Sequence, residues 1–151
     1  MRARRRILSA VAGLAAMPLL MARAARGQQP DVLAELARKV TGGAAVSPGR
    51  VTVDTPRLAD NGHSVPLTVS VESPMTAADH VRSITLLSER NPRPVMATFH
   101  LGPRSGRAQV ATRVRLNGSQ RVLALAHLSD GSWWSGDAEV EVTESACLDA
   151  T

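Results

Sequence analysis

From Val51 onward, apolar and polar residues alternate with a period of two, the spacing that sends successive side chains to opposite faces of a strand. Val65, Leu67, Val69 and Val71 make one apolar face, with Thr68 and Ser70 on the other. The same reading predicts strands over Val51–Val53, Val81–Leu87, Val95–Leu101, Ala108–Leu116, Arg121–Leu128 and Ser132–Thr143. Turn residues separate them: Pro56, Asn91-Pro92-Arg93-Pro94, Gly102-Pro103, Asn117-Gly118 and Ser129-Asp130-Gly131. Asn117-Gly118 reads as a tight hairpin joining its two flanking strands. About seven short strands with frequent turn signals predict an all-β fold, an immunoglobulin-like two-sheet β-sandwich.

Upstream the period changes. Val32, Leu33, Leu36, Ala37 and Val40 fall on one face of a helix, which Asp31 caps and Gly42-Gly43 ends. This short N-terminal helix precedes the sandwich and is expected to pack on an edge or on a partner, with residues 44–50 as linker. Before it, Arg2 to Arg6 and an apolar stretch from Ile7 to Ala22 form the pattern of an export signal, with Ala22-Arg23-Ala24 as cleavage region. Arg4-Arg5 followed by Arg6-Ile7-Leu8 resembles a twin-arginine motif and points to the periplasm, with an ordinary Sec signal as the alternative route. The apolar stretch is too short for a membrane span, so no stable anchor is expected after cleavage. The expected organisation is thus a signal over 1–27, helix and linker over 28–50, sandwich over 51–143 and a C-terminal arm over 144–151.

Charge alters the picture once the signal is set aside. The 151 residues carry a formal charge of +5, but six arginines and no acidic residue lie in residues 1–27. The remainder has 12 basic against 13 acidic residues and no basic stripe, and its two Trp and one Phe form no stacking series. Nucleic acid is therefore not an expected partner.

Candidate chemistry is sparse. His63, His80, His100 and His127 are scattered without ligand spacing, and even with Met75 and Met96 nothing in the sequence gathers them into a copper site. No metal site is expected. Trp133-Trp134 opens the last strand, where alternation sends one ring inward and the other outward. The outer ring is a candidate partner-interface anchor. The single cysteine, Cys147, follows the last strand. In an exported chain such a thiol closes no internal disulfide, so it is inert, paired with another molecule, or reactive. A thiol hydrolase is not expected, because a nucleophile on a tail is not held against a fixed base.

Three groups of residues carry a resemblance. Pro56-x-Leu58-Ala59-Asp60-Asn61-Gly62-x-x-Val65-Pro66, then Asn91-Pro92-x-Pro94-Val95, then Thr112-Arg113-Val114-Arg115-Leu116 with Ser129-Asp130-Gly131, together resemble the SoxY family of thiosulfate-oxidation carriers over residues 28–147. The resemblance implies a periplasmic carrier subunit that is not itself an enzyme. It implies pairing with a SoxZ-like β-sandwich subunit and transient docking to Sox enzymes. Cys147 would be the covalent attachment residue, on an arm formed by Glu144, Ser145, Ala146 and Leu148. No cofactor is implied beyond the sulfur intermediate on Cys147.

The arm departs from the glycine-rich Gly-Gly-Cys-Gly type of the family, reading Glu144-Ser145-Ala146-Cys147-Leu148-Asp149. Glu144 and Asp149 put negative charge beside the thiol, which disfavours thiolate and repels an anionic adduct. The alternative role is a binding or assembly module that keeps the partner surface without loading sulfur.

Overall fold

A computed structural model describes residues 31–145, so the expected export signal and Ala146, Cys147 and Leu148 lie outside the described residues. Nine strands form two sheets: β1 (Val46–Pro48), β2 (Val51–Asp54), β3 (Leu58–Asn61), β4 (Val65–Val71), β5 (Val81–Ser88), β6 (Val95–His100), β7 (Gln109–Val114), β8 (Gln120–Leu128) and β9 (Trp133–Glu144). The larger sheet runs β1-β9-β8-β5-β6, with β3 added beside β9, and the smaller runs β2-β4-β7. The two-sheet sandwich is the architecture that the alternation predicts, with two strands more than expected.

The inner faces meet as one apolar layer. Leu67 and Val69 of β4 and Val65 at its start pack against Ile84 and Leu86 of β5, Val122, Ala124 and Ala126 of β8, and Val140 of β9. Burying these side chains drives the two sheets together, at roughly 1.5–3 kcal/mol for each large residue. Gly136 lies where β9 passes closest to β2. A Cβ there would fall inside contact distance of the Val51 carbonyl oxygen and 2.9 Å from its carbon.

α1 (Val32–Thr41) begins at Asp31, whose carboxylate accepts from Leu33 N at 3.1 Å, and ends at Gly42 in the left-handed conformation, φ 66°. It lies on the outer face of the larger sheet, where Leu33 and Ala37 bury themselves against Leu87 and Leu125. That position explains why β8 is apolar on both faces: Val122, Ala124 and Ala126 point to the sandwich core, while Leu123 and Leu125 meet the helix. Arg121 Nη2 closes the contact with Asp31 at 2.7 Å and Glu89 at 3.3 Å.

Three expectations change. Residues 46–48, expected as linker, form β1 and pair in parallel with Trp133–Ser135 of β9. Leu58–Asn61 adds β3, parallel to Glu141–Glu144. The strands flanking Asn117-Gly118 do not pair with each other: β7 pairs with β4, and β8 with β5 and β9. Asn117-Gly118 is a crossover between sheets, because the inward faces of β7 and β8 belong to opposite sides of one core. Ser129-Asp130-Gly131 is a turn, as expected, and makes a hairpin that joins β8 to β9 with Gly131 at φ 86°.

Candidate functional site

The candidate site is the end of β9, the strand that precedes Cys147 in the sequence. β9 ends at Glu144, exposed, and Ser145 follows at the limit of the described residues. Cys147 stands two residues further, within about 7 Å of chain. The geometry of the root therefore sets where the thiol starts from.

Three turns converge on that root. The Asn61-Gly62 turn comes first: Asn61 Oδ1 accepts from His63 N at 3.2 Å, which tightens the turn. Gly62 N then donates to Glu144 O at 2.7 Å, extending the β3–β9 pairing to the last strand residue. Gly62 O accepts from Leu116 N at 2.8 Å, linking the same turn to the crossover.

The crossover loop grips the other side. Ser119 Oγ accepts from Val142 N at 2.9 Å. Ser145 Oγ donates to Asn117 Oδ1 at 2.6 Å. Asn117 is in turn held by the third turn, Asn91-Pro92-Arg93-Pro94. Asn91 Oδ1 accepts from Asn117 N at 2.9 Å and from Gln120 Nε2 at 3.2 Å, while Asn91 Nδ2 donates to Arg115 O at 2.8 Å. Behind Asn91, buried Gln120 accepts through Oε1 from Ser88 Oγ and from Arg90 N, the latter at 3.1 Å. Among the described residues no buried side-chain polar atom lacks a partner. A network anchored on buried Gln120 and Ser88 favours one loop geometry, since slippage would cost those two groups their partners.

The family-like motifs Asn61-Gly62 and Asn91-Pro92 thus have a common job: they clamp the exit of β9. Sequence reasoning noted Asn91-Pro92 as a turn and Asn61-Gly62 as part of a motif, and missed Asn117, Ser119 and Gln120 as their partners. The signal that existed was polar residues at a turn flanked by strands. Their meeting across two sheets is a tertiary fact.

Trp133 and Trp134 sit at the opposite end of β9, a twelve-residue strand, roughly 36 Å from the root. Alternation separates them as expected. Trp134 joins the inter-sheet core, with its Nε1 donating to Ser132 Oγ at 3.0 Å and the Arg50 guanidinium 5.2 Å above the ring. Trp133 faces the helix side and stacks on His127, ring centroids 4.3 Å apart and planes within 6°. Burial, and secondarily the Arg82 charge, hold His127 below the ordinary imidazole range, with Asp130 opposing. Both Trp are half-buried. Among the described residues no three His, Cys, Asp or Glu side chains come together to hold a metal ion. No helix there is long and apolar enough to cross a membrane.

Comparison with solved structures places this fold among known sandwiches. The sulfur carrier protein SoxY from Chlorobium limicola f thiosulfatophilum matches with a TM-score of 0.63 at 22% identity, covering 76% of this chain and 99% of that one. The superoxide reductase (neelaredoxin) from Ignicoccus hospitalis matches with a TM-score of 0.56 at 20% identity, over 62% of this chain and 80% of that one. A superoxide reductase from Nanoarchaeum equitans matches at 0.54 and 12% identity, over 64% of this chain and 100% of that one. At such identities these likenesses establish the fold alone. No curated protein sequence matches the chain. The family description that matches is "Sulfur oxidation protein SoxY", over residues 37–147, a span that takes in the helix end, all nine strands and the cysteine. With most of its length inside that match, the chain belongs to the SoxY family of sulfur-oxidation proteins.

Proposed function

We propose that this chain is a periplasmic sulfur carrier that holds thiosulfate-derived intermediates on Cys147 while partner enzymes oxidise and hydrolyse them. The observation that carries the reading is the reach of the family match: it runs through the clamped root of the arm to Cys147, the one cysteine in the sequence. The twin-arginine-like segment supports export. The sandwich contributes position. It gives the thiol a fixed origin at the end of β9 and leaves a short reach beyond it.

Loading forms one bond, between Cys147 Sγ and the outer sulfur of thiosulfate. Starting from thiol and thiosulfate, the step releases one proton and two electrons. An electron-accepting partner enzyme is therefore required, and the carrier itself has no need of a cofactor. A SoxZ-like sandwich is the proposed stable partner, with the half-buried Trp133–Trp134 end of β9 as its proposed contact. That end is far enough from the root to leave the arm accessible.

The test is intact-mass spectrometry of the mature protein from its native compartment, non-reducing, before and after reductant. Reducible additions of sulfur or thiosulfonate mass on Cys147, absent in Cys147→Ser, are expected. A bare thiol while thiosulfate is being consumed overturns the carrier reading and leaves an assembly module.

A further inference from the structure

The two sheets leave open edges on the same side of the sandwich, β6 of the larger and β7 of the smaller. Between them lies a groove of about 390 Å³. Arg93 enters from the Asn91 turn, and Arg113 and Arg115 from the end of β7. The hydrogen bond from Asn91 Nδ2 to Arg115 O joins the loop before β6 to the end of β7, and all three arginines belong to the lining of this groove. No Asp or Glu lines it. Among the described residues none of the three guanidinium groups is paired with a carboxylate, and Arg113 makes only long contacts, 3.4 Å, to Ser64.

Cations that line one groove without carboxylate partners favour a bound anion there. Guanidinium forks match oxyanions in geometry and donate charge-assisted bonds. Thr112 adds a hydroxyl, and Met96 and Val114 supply an apolar wall that limits competing water. The position matters as much as the charge. Asn91, at the groove, is linked through Asn117 to Ser145, so the groove lies two hydrogen bonds from the arm root. The acidic residues Glu144 and Asp149 near the thiol would repel an anionic sulfur group on their own. A cationic groove on the same end of the sandwich offsets that field.

We propose that the β6–β7 groove, through Arg93, Arg113 and Arg115, is a binding site for the anionic –SO3 group of a thiosulfate-class sulfur compound. The group comes either from the free anion or from the arm itself. The choice of sulfur oxyanion rests on the carrier reading above; the anion site does not.

The test uses the full mature chain and follows arginine side-chain N–H signals by NMR. In one arm, sodium thiosulfate is titrated into Cys147→Ser at ionic strength held constant with sodium chloride. In the other, Cys147 of the wild type is first treated with tetrathionate. Its thiolate attacks a central sulfur, forms the Sγ–S bond, breaks the central S–S bond and expels thiosulfate. Saturable shifts at Arg93, Arg113 and Arg115 in the first arm establish a free-anion site. The same shifts in the loaded protein alone assign the site to the arm-borne group. In either case Arg113→Gln with Arg115→Gln weakens the response by at least about tenfold, the equivalent of one lost charge-assisted bond. No arginine response in both arms overturns the proposal. So does a response that appears only when a SoxZ-like subunit is added, which makes the groove a protein interface. Binding to Cys147→Ser in a protein whose native thiol is never loaded retains the anion site and rejects the carrier reading.

Discussion

Asn91→Ala tests whether the clamp at the arm root is a real constraint. The substitution deletes three hydrogen bonds, from Asn117 N, from Gln120 Nε2 and to Arg115 O. Gln120 is buried, yet its amide nitrogen keeps Gly118 O at 3.2 Å, so it is weakened and not orphaned. Asn117 is half-exposed, and water replaces part of what its N–H loses. Taking about 1 kcal/mol for each bond, the loss is roughly 2–4 kcal/mol. For a domain of this size that lowers Tm by roughly 10 °C. Urea unfolding of the reduced protein reads the free energy directly, provided m is unchanged. Hydrogen exchange adds the location: amides of Asn117 to Ser119 and of Val142 accelerate, while those of α1 keep their protection relative to global opening. Asn91→Asp keeps the two acceptor bonds and loses the donor, so it falls between wild type and Asn91→Ala. A loss below about 0.5 kcal/mol for Asn91→Ala, with unchanged exchange at Val142, refutes the claim that this network holds the root.

Gly136→Ala drives a methyl into the Val51 carbonyl and must part β2 from β9. A loss of about 1–3 kcal/mol or more in chemical denaturation is expected, and wild-type stability would show that the sheets separate freely there. Removing the helix cap with Asp31→Ala deletes the bond to Leu33 N and the contact with Arg121, for a loss of about 1 kcal/mol by thermal unfolding. Because that pair is exposed, most of the effect belongs to the cap, and 0.5 M salt leaves it largely in place. His127 binds its proton less readily folded than unfolded, so the unfolded chain takes up protons first as pH falls below about 6.5. Stability then declines from that pH down to the lower folded value, and Tm measured from pH 7.5 to 5 in His127→Gln shows a shallower decline than wild type. Parallel curves would show that another group sets the acid sensitivity.

How far the residues announce this fold depends on what each segment faces. Val65–Val71 alternates cleanly because one of its faces is buried and the other is wet, and the strand is found residue for residue. β8 reads less cleanly, since the helix covers its second face and the polar half of the pattern is missing. β1 and β3 have almost no pattern to read. One is three residues long and ends in Pro48, and the other exposes Leu58 at 61% and contains Asp60 and Asn61. Both exist because β9 offers them backbone partners, which is a property of the neighbour. The same holds for the root: Asn91 and Asn117 read as turn formers, and only the crossing of chain between sheets brings Asn117 against Asn91 and Ser145. The groove arginines are visible as residues, but not as neighbours.

β9 has a partner strand along its whole length: β8 pairs with Trp133–Val140, β1 also with its first three residues, and β3 with Glu141–Glu144. A tug on the arm pulls along the strand axis, so those inter-strand bonds are loaded sideways and share the force. They do not open one after another as in a peeled hairpin. An enzyme that draws the thiol into a deep channel can therefore exert tension on this tether without unravelling the body that holds it, and release is governed by how fast whole registers slip, a rate and not an equilibrium. The carrier behaves as a handle with a sewn-in seam: its last strand works loose only as registers of the sandwich slip.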